Sequence, residues 1–529
     1  MKNKPEGADF LPGLNFIIDR IEQRDAFVDV LEQMRSNMPF QHNLFEWYGA
    51  PGIGKTTLIT LLQSECDKRN IPWALVNFDE EEKNAIDEYL NDPIKLIEKI
   101  TQDLSKYNFD TEFLSNKIDS YHKEQLPPEG ACLAYARMSE RERGYSDSNP
   151  KWLIRMREVL EETKNVLFNS SKKDKSEQTA PFVLFIDGVD AVHELFTDWI
   201  EEFVVKPLVQ SRHSVVVWTA RNSRKWKRPE IRWDRKSEEL RTFNEAEVRL
   251  QISKFPRFIG EENLAEQLFK NVYVMTGGHP YAGAVVINEI GAWDELSAEI
   301  VKKREQELLA GIYKTVIRNY ALKGLSPEQM QALELCSMIR LIDTTTLQYV
   351  LQECSSTFSE ENSWKRKDFD RLLFELRKTY LLRWGKSGWS IEPSLRYLMR
   401  SYYLTSGQEL FRKVNEAALK VYQDWLSKYV DNRKLFIIEE IYHYVSLQQL
   451  NSSENIAKVI NVLTERLMQY PSEVKQDPEV WRITLEQIEG DIEHDSEILR
   501  IIGEKDVQEL ISPLKDLLKK NKLMDEKIG

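Results

Sequence analysis

Between residues 49 and 56 the chain reads Gly49-Ala50-Pro51-Gly52-Ile53-Gly54-Lys55-Thr56, a GxxxxGK[ST] spacing suited to holding phosphate. Glycines let successive backbone N–H groups converge on an anion, and a helix starting behind them adds the positive end of its dipole. Lys55 can then reach the β and γ phosphates of a nucleoside triphosphate, and the Thr56 hydroxyl can bind Mg²⁺. Gly49, Pro51, Gly52, Gly54, Lys55, Thr56 and Thr57 are therefore the candidate nucleotide-binding residues.

Such a site also needs an acid at the end of a buried strand to hold the metal's water shell. Residues 182–186 form an unbroken apolar run, as in a parallel strand covered on both faces, and end in Asp187-Gly188-Val189-Asp190. Asp187 is assigned to Mg²⁺ and Asp190 to the attacking water; the bland alternative is that either merely caps the next turn. Arg221 follows the apolar run 214–219, at the strand edge where open α/β sheets bind ligands, and is the candidate γ-phosphate sensor. Its alternative is a surface arginine in the run Arg221, Arg224, Lys225, Lys227, Arg228.

The elements that must carry these residues are legible around them. An aromatic strand at 43–48 leads into the glycine loop, residues 57–62 open a helix, and residues 72–79 form a further strand. An insertion at 80–170 shows helical periodicity at 93–100 and 152–167, and a polar stretch at 169–180 has the composition of an exposed linker. Farther on, Ser326-Pro327-Glu328-Gln329 is a capping box that starts a helix through Met338. Helices at 344–351 and 368–378 and a hairpin at 380–391 complete the pattern of a winged helix. Lys365, Arg366, Lys367, Arg371, Arg377 and Lys378 supply charge with which its third helix could enter DNA. From residue 405 the chain reads as helical throughout, with apolar faces at 410–430, 435–445, 456–467 and 507–518 and no 34-residue repeat. Tyr442-His443 reads as a packed helical pair, and His122, His193 and His494 carry no functional reading.

Composition narrows the field. A chain of 529 residues suggests three or four domains, and 41% hydrophobic with 30% charged residues describes a folded protein. No apolar run suits a membrane span and the start, MKNKPEGADF, lacks a secretion signal's apolar core, so a cytoplasmic protein without membrane contact is expected. The balance of 73 basic against 86 acidic residues, −13, disfavours a nucleic-acid coat or an anionic membrane surface. Cys66, Cys132, Cys336 and Cys354 have neither disulfide nor zinc spacing and are expected as ordinary buried or half-buried thiols.

Five elements occur in the order seen in STAND ATPases, the signal-transduction relatives of AAA+ proteins, and the chain resembles that class over about residues 14–400. They are the loop 49–56, the hhhhDGhD run 182–190, Thr219-Ala220-Arg221, the segment 239–247, and Thr276-Gly277-Gly278-His279-Pro280-Tyr281. The resemblance implies that Pro280 packs on the nucleotide base and that Phe16 and Ile17, in Phe16-Ile17-Ile18-Asp19-Arg20, contact adenine. It implies an α/β P-loop NTPase of AAA+/STAND type, followed by a helical lid, a winged-helix domain and an all-α C-terminal helical array. The corresponding segments are 1–40 at the nucleotide, 41–257 for the ATPase core, 258–320 for the lid, 321–402 for the winged helix and 403–529 for the helical sensor.

Three departures shape the expected function. Gly188 stands where an AAA+ motor carries a catalytic glutamate, Ala191 follows Asp190 where many relatives carry another acid, and Glu392-Pro393-Ser394-Leu395-Arg396 replaces a phosphate-touching histidine. Loss of a positioned base predicts slow hydrolysis, which suits a switch. The expectation is an ATP/ADP- and Mg²⁺-dependent signalling switch, in bacterial defence or stress signalling, with a nucleotide-dependent homo-oligomer and a protein partner or effector bound through the C-terminal helices. Fewer than fifty residues precede the loop, so a separate effector or assembly itself is expected to provide the output. The alternatives are an AAA+-like DNA-binding protein or transcription regulator that uses the winged helix, and a nucleotide-binding scaffold without hydrolysis.

Overall fold

The structure is a computed structural model describing residues 20–36, 38–79, 83–107, 112–124, 131–132, 134, 151–169, 182–211, 213–385, 388–429, 432–450, 461, 478–503, 505, 507–512 and 515–516. They divide into two compact units, the first reaching to Phe269 and including His279–Ala284, the second holding Lys270–Gly278 and everything from Val285.

The first unit is built on five strands, β1 (Leu44–Tyr48), β2 (Trp73–Asn77), β3 (Phe182–Asp187), β4 (Ser214–Ala220) and β5 (Arg235–Glu239). They pair in parallel in the order β2-β3-β4-β1-β5. Apolar side chains point to both faces because both are covered. Phe45, Trp47, Val183, Phe185 and Val217 pack under helices Ile21–Arg35 and Lys55–Lys68 with Phe27, Leu31, Leu58 and Leu62. Leu184, Ile186, Val216 and Trp218 face the other way, onto the insertion helices Ile94–Ser105 and Lys151–Asn169 and onto Phe196 and Trp199. Each such side chain, fully buried, contributes roughly 1.5–3 kcal/mol.

Strand β5 was absent from the sequence expectations because its residues, Arg235-Lys236-Ser237-Glu238-Glu239, have no apolar pattern. It lies at the edge of the sheet, where charged side chains block further pairing. A buried acid fastens this edge. Glu46, in the middle of β1 and without solvent exposure, accepts hydrogen bonds from Arg224 N (2.7 Å), Trp226 Nε1 (3.1 Å), Ser223 Oγ (3.0 Å) and Arg235 Nη1 (3.1 Å). A carboxylate can be buried only when satisfied in this way, and satisfying it fixes the loop that follows β4.

In the second unit Ser326 caps its helix as expected. Gln329 N donates to Ser326 Oγ (3.2 Å), and Ser326 N donates to the Gln329 side chain (2.9 Å). That helix, Pro327–Cys336, ends two residues before the expected Met338; the next runs to Cys354 rather than 351, and the third begins at Arg366 rather than 368. Phe369, Leu372, Leu373 and Leu376 form the third helix's buried face. Strands β6 (Leu382–Gly385) and β7 (Gly388–Ile391) pair in antiparallel register, with Trp384 opposite Trp389. Helices Pro393–Ser406, Gln408–Lys428, Arg433–Gln448, Pro478–Glu493 and Ser496–Ile502 follow. Of the linker expected at 169–180, Asn169 ends the helix Lys151–Asn169 and residues 170–180 lie outside the described residues, as do the helical face at 456–467 apart from residue 461 and part of 507–518.

Cys66, Cys132 and Cys336 are buried thiols and Cys354 is half-buried. Among the described residues no helix is long and apolar enough to cross a membrane.

Candidate nucleotide-binding site

The glycine loop joins β1 to the helix Lys55–Lys68 at the C-terminal edge of the sheet. Gly52 takes φ +77°, and a Cβ there would lie 2.7 Å from the His279 ring. The loop is backed by the start of the helix Pro280–Gly291. His279, fully buried, accepts from Ala282 N at Nδ1 (3.2 Å), so its proton sits on Nε2, which donates to the Pro51 carbonyl (3.0 Å). Tyr281 N donates to the Gly52 carbonyl at 3.3 Å. Pro280 is buried, with its own carbonyl accepting from Gln251 Nε2 at 2.9 Å. On the other side of the loop Arg20 donates to the carbonyls of Ile53 (2.8 Å) and Arg241 (3.0 Å) and lies over the Phe243 ring. Phe16 and Ile17 lie outside the described residues, four and three positions before this contact.

Lys55 Nζ donates to the carbonyls of Gly49 (2.9 Å) and Ala50 (3.0 Å). Burial lowers its pKa, against the pull of the Asp190 and Asp187 carboxylates. Thr56 and Thr57 occupy the first turn of the helix, half-buried. The Thr56 hydroxyl donates to Asp187 at 2.6 Å, and Thr219 from β4 donates to the other Asp187 oxygen. Strand β4 lies between β1 and β3, so Thr219 bridges the sheet between the two motifs and holds the Asp187 carboxylate toward Thr56. Asp190 accepts from the backbone N–H of Arg221, which ties the turn after β3 to the end of β4. Burial pushes the Asp190 carboxyl up to about 6, with the Arg221 N–H and the Lys55 charge opposing.

Thr56 and Asp187 suit a divalent cation that prefers oxygen. Mg²⁺ commonly takes one or two protein oxygens and completes its shell with phosphate and water, and no group of three acidic, His or Cys ligands occurs among the described residues. The donors present fit Mg²⁺ brought with a triphosphate.

No protein-family model matches the sequence, and no curated protein matches it. Solved structures similar to the chain include a Signal Transduction ATPase with Numerous Domains (STAND) protein with a tetratricopeptide repeat sensor from Pyrococcus horikoshii. It is 13% identical, with 92% of this chain and 57% of that one covered, at a TM-score of 0.25. The chain thus spans little more than half the length of that protein. The Holliday junction branch migration motor RuvB of Thermotoga maritima is 11% identical, covering 70% of this chain and 92% of that one at TM-score 0.31. Cdc6p of Pyrobaculum aerophilum is 12% identical, covering 77% and 97% at TM-score 0.32. The reading of an α/β P-loop fold rests on the sheet and the loop themselves.

Several residues of the site had no role in the sequence reading. His279 was legible only as part of a Gly-x-Pro element, and its contact with the loop is made to Pro51, 228 positions earlier in the chain. Thr219 and Glu46 sit in strands whose apolar neighbours conceal them. Asp79 lies two residues past β2, at the end of the strand expected at 72–79, and stood in the sequence as a strand residue alone.

Proposed function

We propose that the chain is an ATP- and Mg²⁺-dependent molecular switch of the STAND type. The observation that carries this reading is the Thr56–Asp187 hydrogen bond, which brings the glycine loop and the acidic strand end together where Mg²⁺ and phosphate would be held. Mg²⁺ held there would neutralise phosphate charge. Lys55 would leave its loop carbonyls for the β and γ phosphates, with Gly49, Pro51, Gly52, Gly54 and Thr57 forming the cradle. Arg221 would meet the γ-phosphate, its backbone held by Asp190. Phe16, Ile17 and Pro280 would enclose the base. Because His279 and Tyr281 bond the loop directly, a change in the loop on nucleotide binding is felt at the start of the helix Pro280–Gly291.

The segments proposed are 41–257 as ATPase core with 1–40 at the nucleotide, 258–320 as lid, 321–402 as winged helix and 403–529 as sensor. ADP favours a closed monomer; ATP with a trigger on the C-terminal helices, a protein partner or effector, favours assembly in the cytoplasm. Hydrolysis is slow, below the roughly 1–10³ s⁻¹ of ordinary enzymes. Equilibrium binding of a fluorescent ATP analogue tests the site: Lys55→Ala should weaken it at least about 100-fold, the scale of a lost charge-assisted phosphate contact, and unchanged affinity rejects the reading. Light scattering with ADP, ATP and a non-hydrolysable analogue tests the switch, and one mass in all conditions with the partner present rejects it.

A second reading, a DNA-binding regulator, is favoured by the exposed side chains of Arg371 and Lys378 on helix Arg366–Lys378. Duplex affinity that falls with salt and is lost on substituting both residues would support it.

A further inference from the structure

The acid missing at position 188 has a neighbour in its place. Gly188 takes φ +69°, and a Cβ there would lie 2.6 Å from Asp79 Cγ and 2.8 Å from Asp79 Oδ1. The Asp79 carboxylate therefore fills the space into which a side chain at 188 would project. Its position is set by the sheet. Asn77 pairs with Asp187, Phe78 N donates to the Asp187 carbonyl (3.0 Å), and Asp79 N donates to the Asn77 side chain (3.1 Å), so the chain leaving β2 is held against the turn leaving β3.

Other carboxylates of the crevice are engaged. Asp187 accepts from two threonine hydroxyls, and Asp190, the residue expected from sequence at the attacking water, accepts from the Arg221 N–H. Asp79 keeps solvent access, and among the described residues no hydrogen bond to its carboxylate is found. The charges it feels belong to the site: Asp187, Arg221 and Lys55. Partial burial and the Asp187 charge raise its pKa above the ordinary aspartate value, with Arg221 and Lys55 opposing.

We propose that Asp79, from the strand beside the acidic strand, orients the water that attacks the γ-phosphorus, the role that Gly188 cannot perform. The inference rests on the ATPase reading above. In the step the water oxygen forms a bond to the γ-phosphorus while the bond from that phosphorus to the bridging oxygen breaks, and the electron pair leaves with ADP. One water proton stays on the released phosphate and the other passes to solvent. Asp79 accepts a hydrogen bond from the water and fixes its direction of approach. Asn in its place could accept only through one oxygen and would present a donor at the other.

The experiment uses the full chain with Mg²⁺-ATP. Fluorescence titration gives ATP affinity, and chromatography of the nucleotide retained on the protein after a single turnover gives its identity. In Asp79→Ala, affinity should stay within about threefold, while hydrolysis falls about 10²- to 10⁴-fold and the retained nucleotide is ATP rather than ADP. Asp79→Asn, which keeps the shape and the link to Asn77, should retain ATP in the same way with a smaller loss of rate; its thermal midpoint controls for folding. Hydrolysis by both variants within about threefold of the parent, or affinity and rate falling together, overturns the role of Asp79. A parent chain that binds ATP and never hydrolyses it overturns the inference but leaves the nucleotide site standing. A parent that binds no ATP overturns the ATPase reading, and this inference with it.

Discussion

The candidate nucleotide crevice of the first unit and the ionic cluster of the second both gather charge away from water, and they satisfy it in opposite ways. In the second unit Arg340 grips Glu439 with two nitrogens, at 2.7 and 3.2 Å, and also bonds Asp495. Arg396 pairs with Glu497 and donates to the Ile339 carbonyl (2.9 Å) and the Tyr442 hydroxyl (2.7 Å). Burial works against the Arg340 charge, but Glu439 and Asp495 outweigh it and hold the guanidinium more firmly protonated than usual. Charge closed on opposite charge leaves little field for a ligand. In the crevice, Lys55 meets two carbonyls, Asp187 two hydroxyls and Asp190 a backbone N–H. Neutral dipoles satisfy the geometry without cancelling the charge, which stays available to phosphate and cation.

The largest expected effect breaks the closed cluster. Arg340→Ala leaves the buried Glu439 and the half-buried Asp495 without their cation and should lower unfolding free energy by about 3–5 kcal/mol, while Arg340→Met with Glu439→Leu should recover much of that. Urea unfolding of the two variants measures it; a loss under about 1 kcal/mol for Arg340→Ala would mean the cluster is not closed. Next comes the corresponding deletion in the crevice. Lys55→Ala should abolish most ATP affinity yet change unfolding free energy by less than about 1 kcal/mol, because the carbonyls it leaves are single dipoles rather than charges.

A smaller effect concerns pH. Asp190 has its folded pKa raised to about 6, so the folded state favours the protonated form. The stability associated with that preference is fully present below the ordinary aspartate value and is lost as pH rises through about 6. Asp190→Asn keeps an acceptor for Arg221 N without the charge. It should therefore be more stable than the parent above pH 6, by about 1–2 kcal/mol after solvent screening, and equal to it near pH 4. Thermal midpoints from pH 4 to pH 8 that run parallel would contradict this. The smallest effect is a control: the exposed pair Lys428–Asp424, at 2.6 Å, should contribute under about 0.5 kcal/mol, so Lys428→Ala is expected to be nearly silent. A large loss there would show that pairing alone, rather than burial, accounts for the Arg340 cluster.

Strands β1 to β4, the loop helix and the capped helix at Ser326 were legible because each is specified within a few residues, by an apolar run, a glycine spacing or a capping pair. Strand β5 was not legible, since its polar residues become a strand only by pairing with β1. Boundaries slipped by two or three residues where the helix ends carry no local signal, as at Cys354.

The sequence alone determined which residues could bind phosphate and metal, because backbone freedom, charge and hydroxyl chemistry are properties of Gly52, Lys55, Thr56 and Asp187 wherever they lie. Only the tertiary structure decided which of them meet and what stands beside them. Thr219 reaches Asp187 because β4 lies between the two motif strands, and Asp79 fills the place of a side chain at 188 because β2 pairs with β3 in a register that aligns Asn77 with Asp187. Strand order and register arise from packing both faces of one sheet, a condition spread over residues from 27 to 240 that no local window of sequence contains.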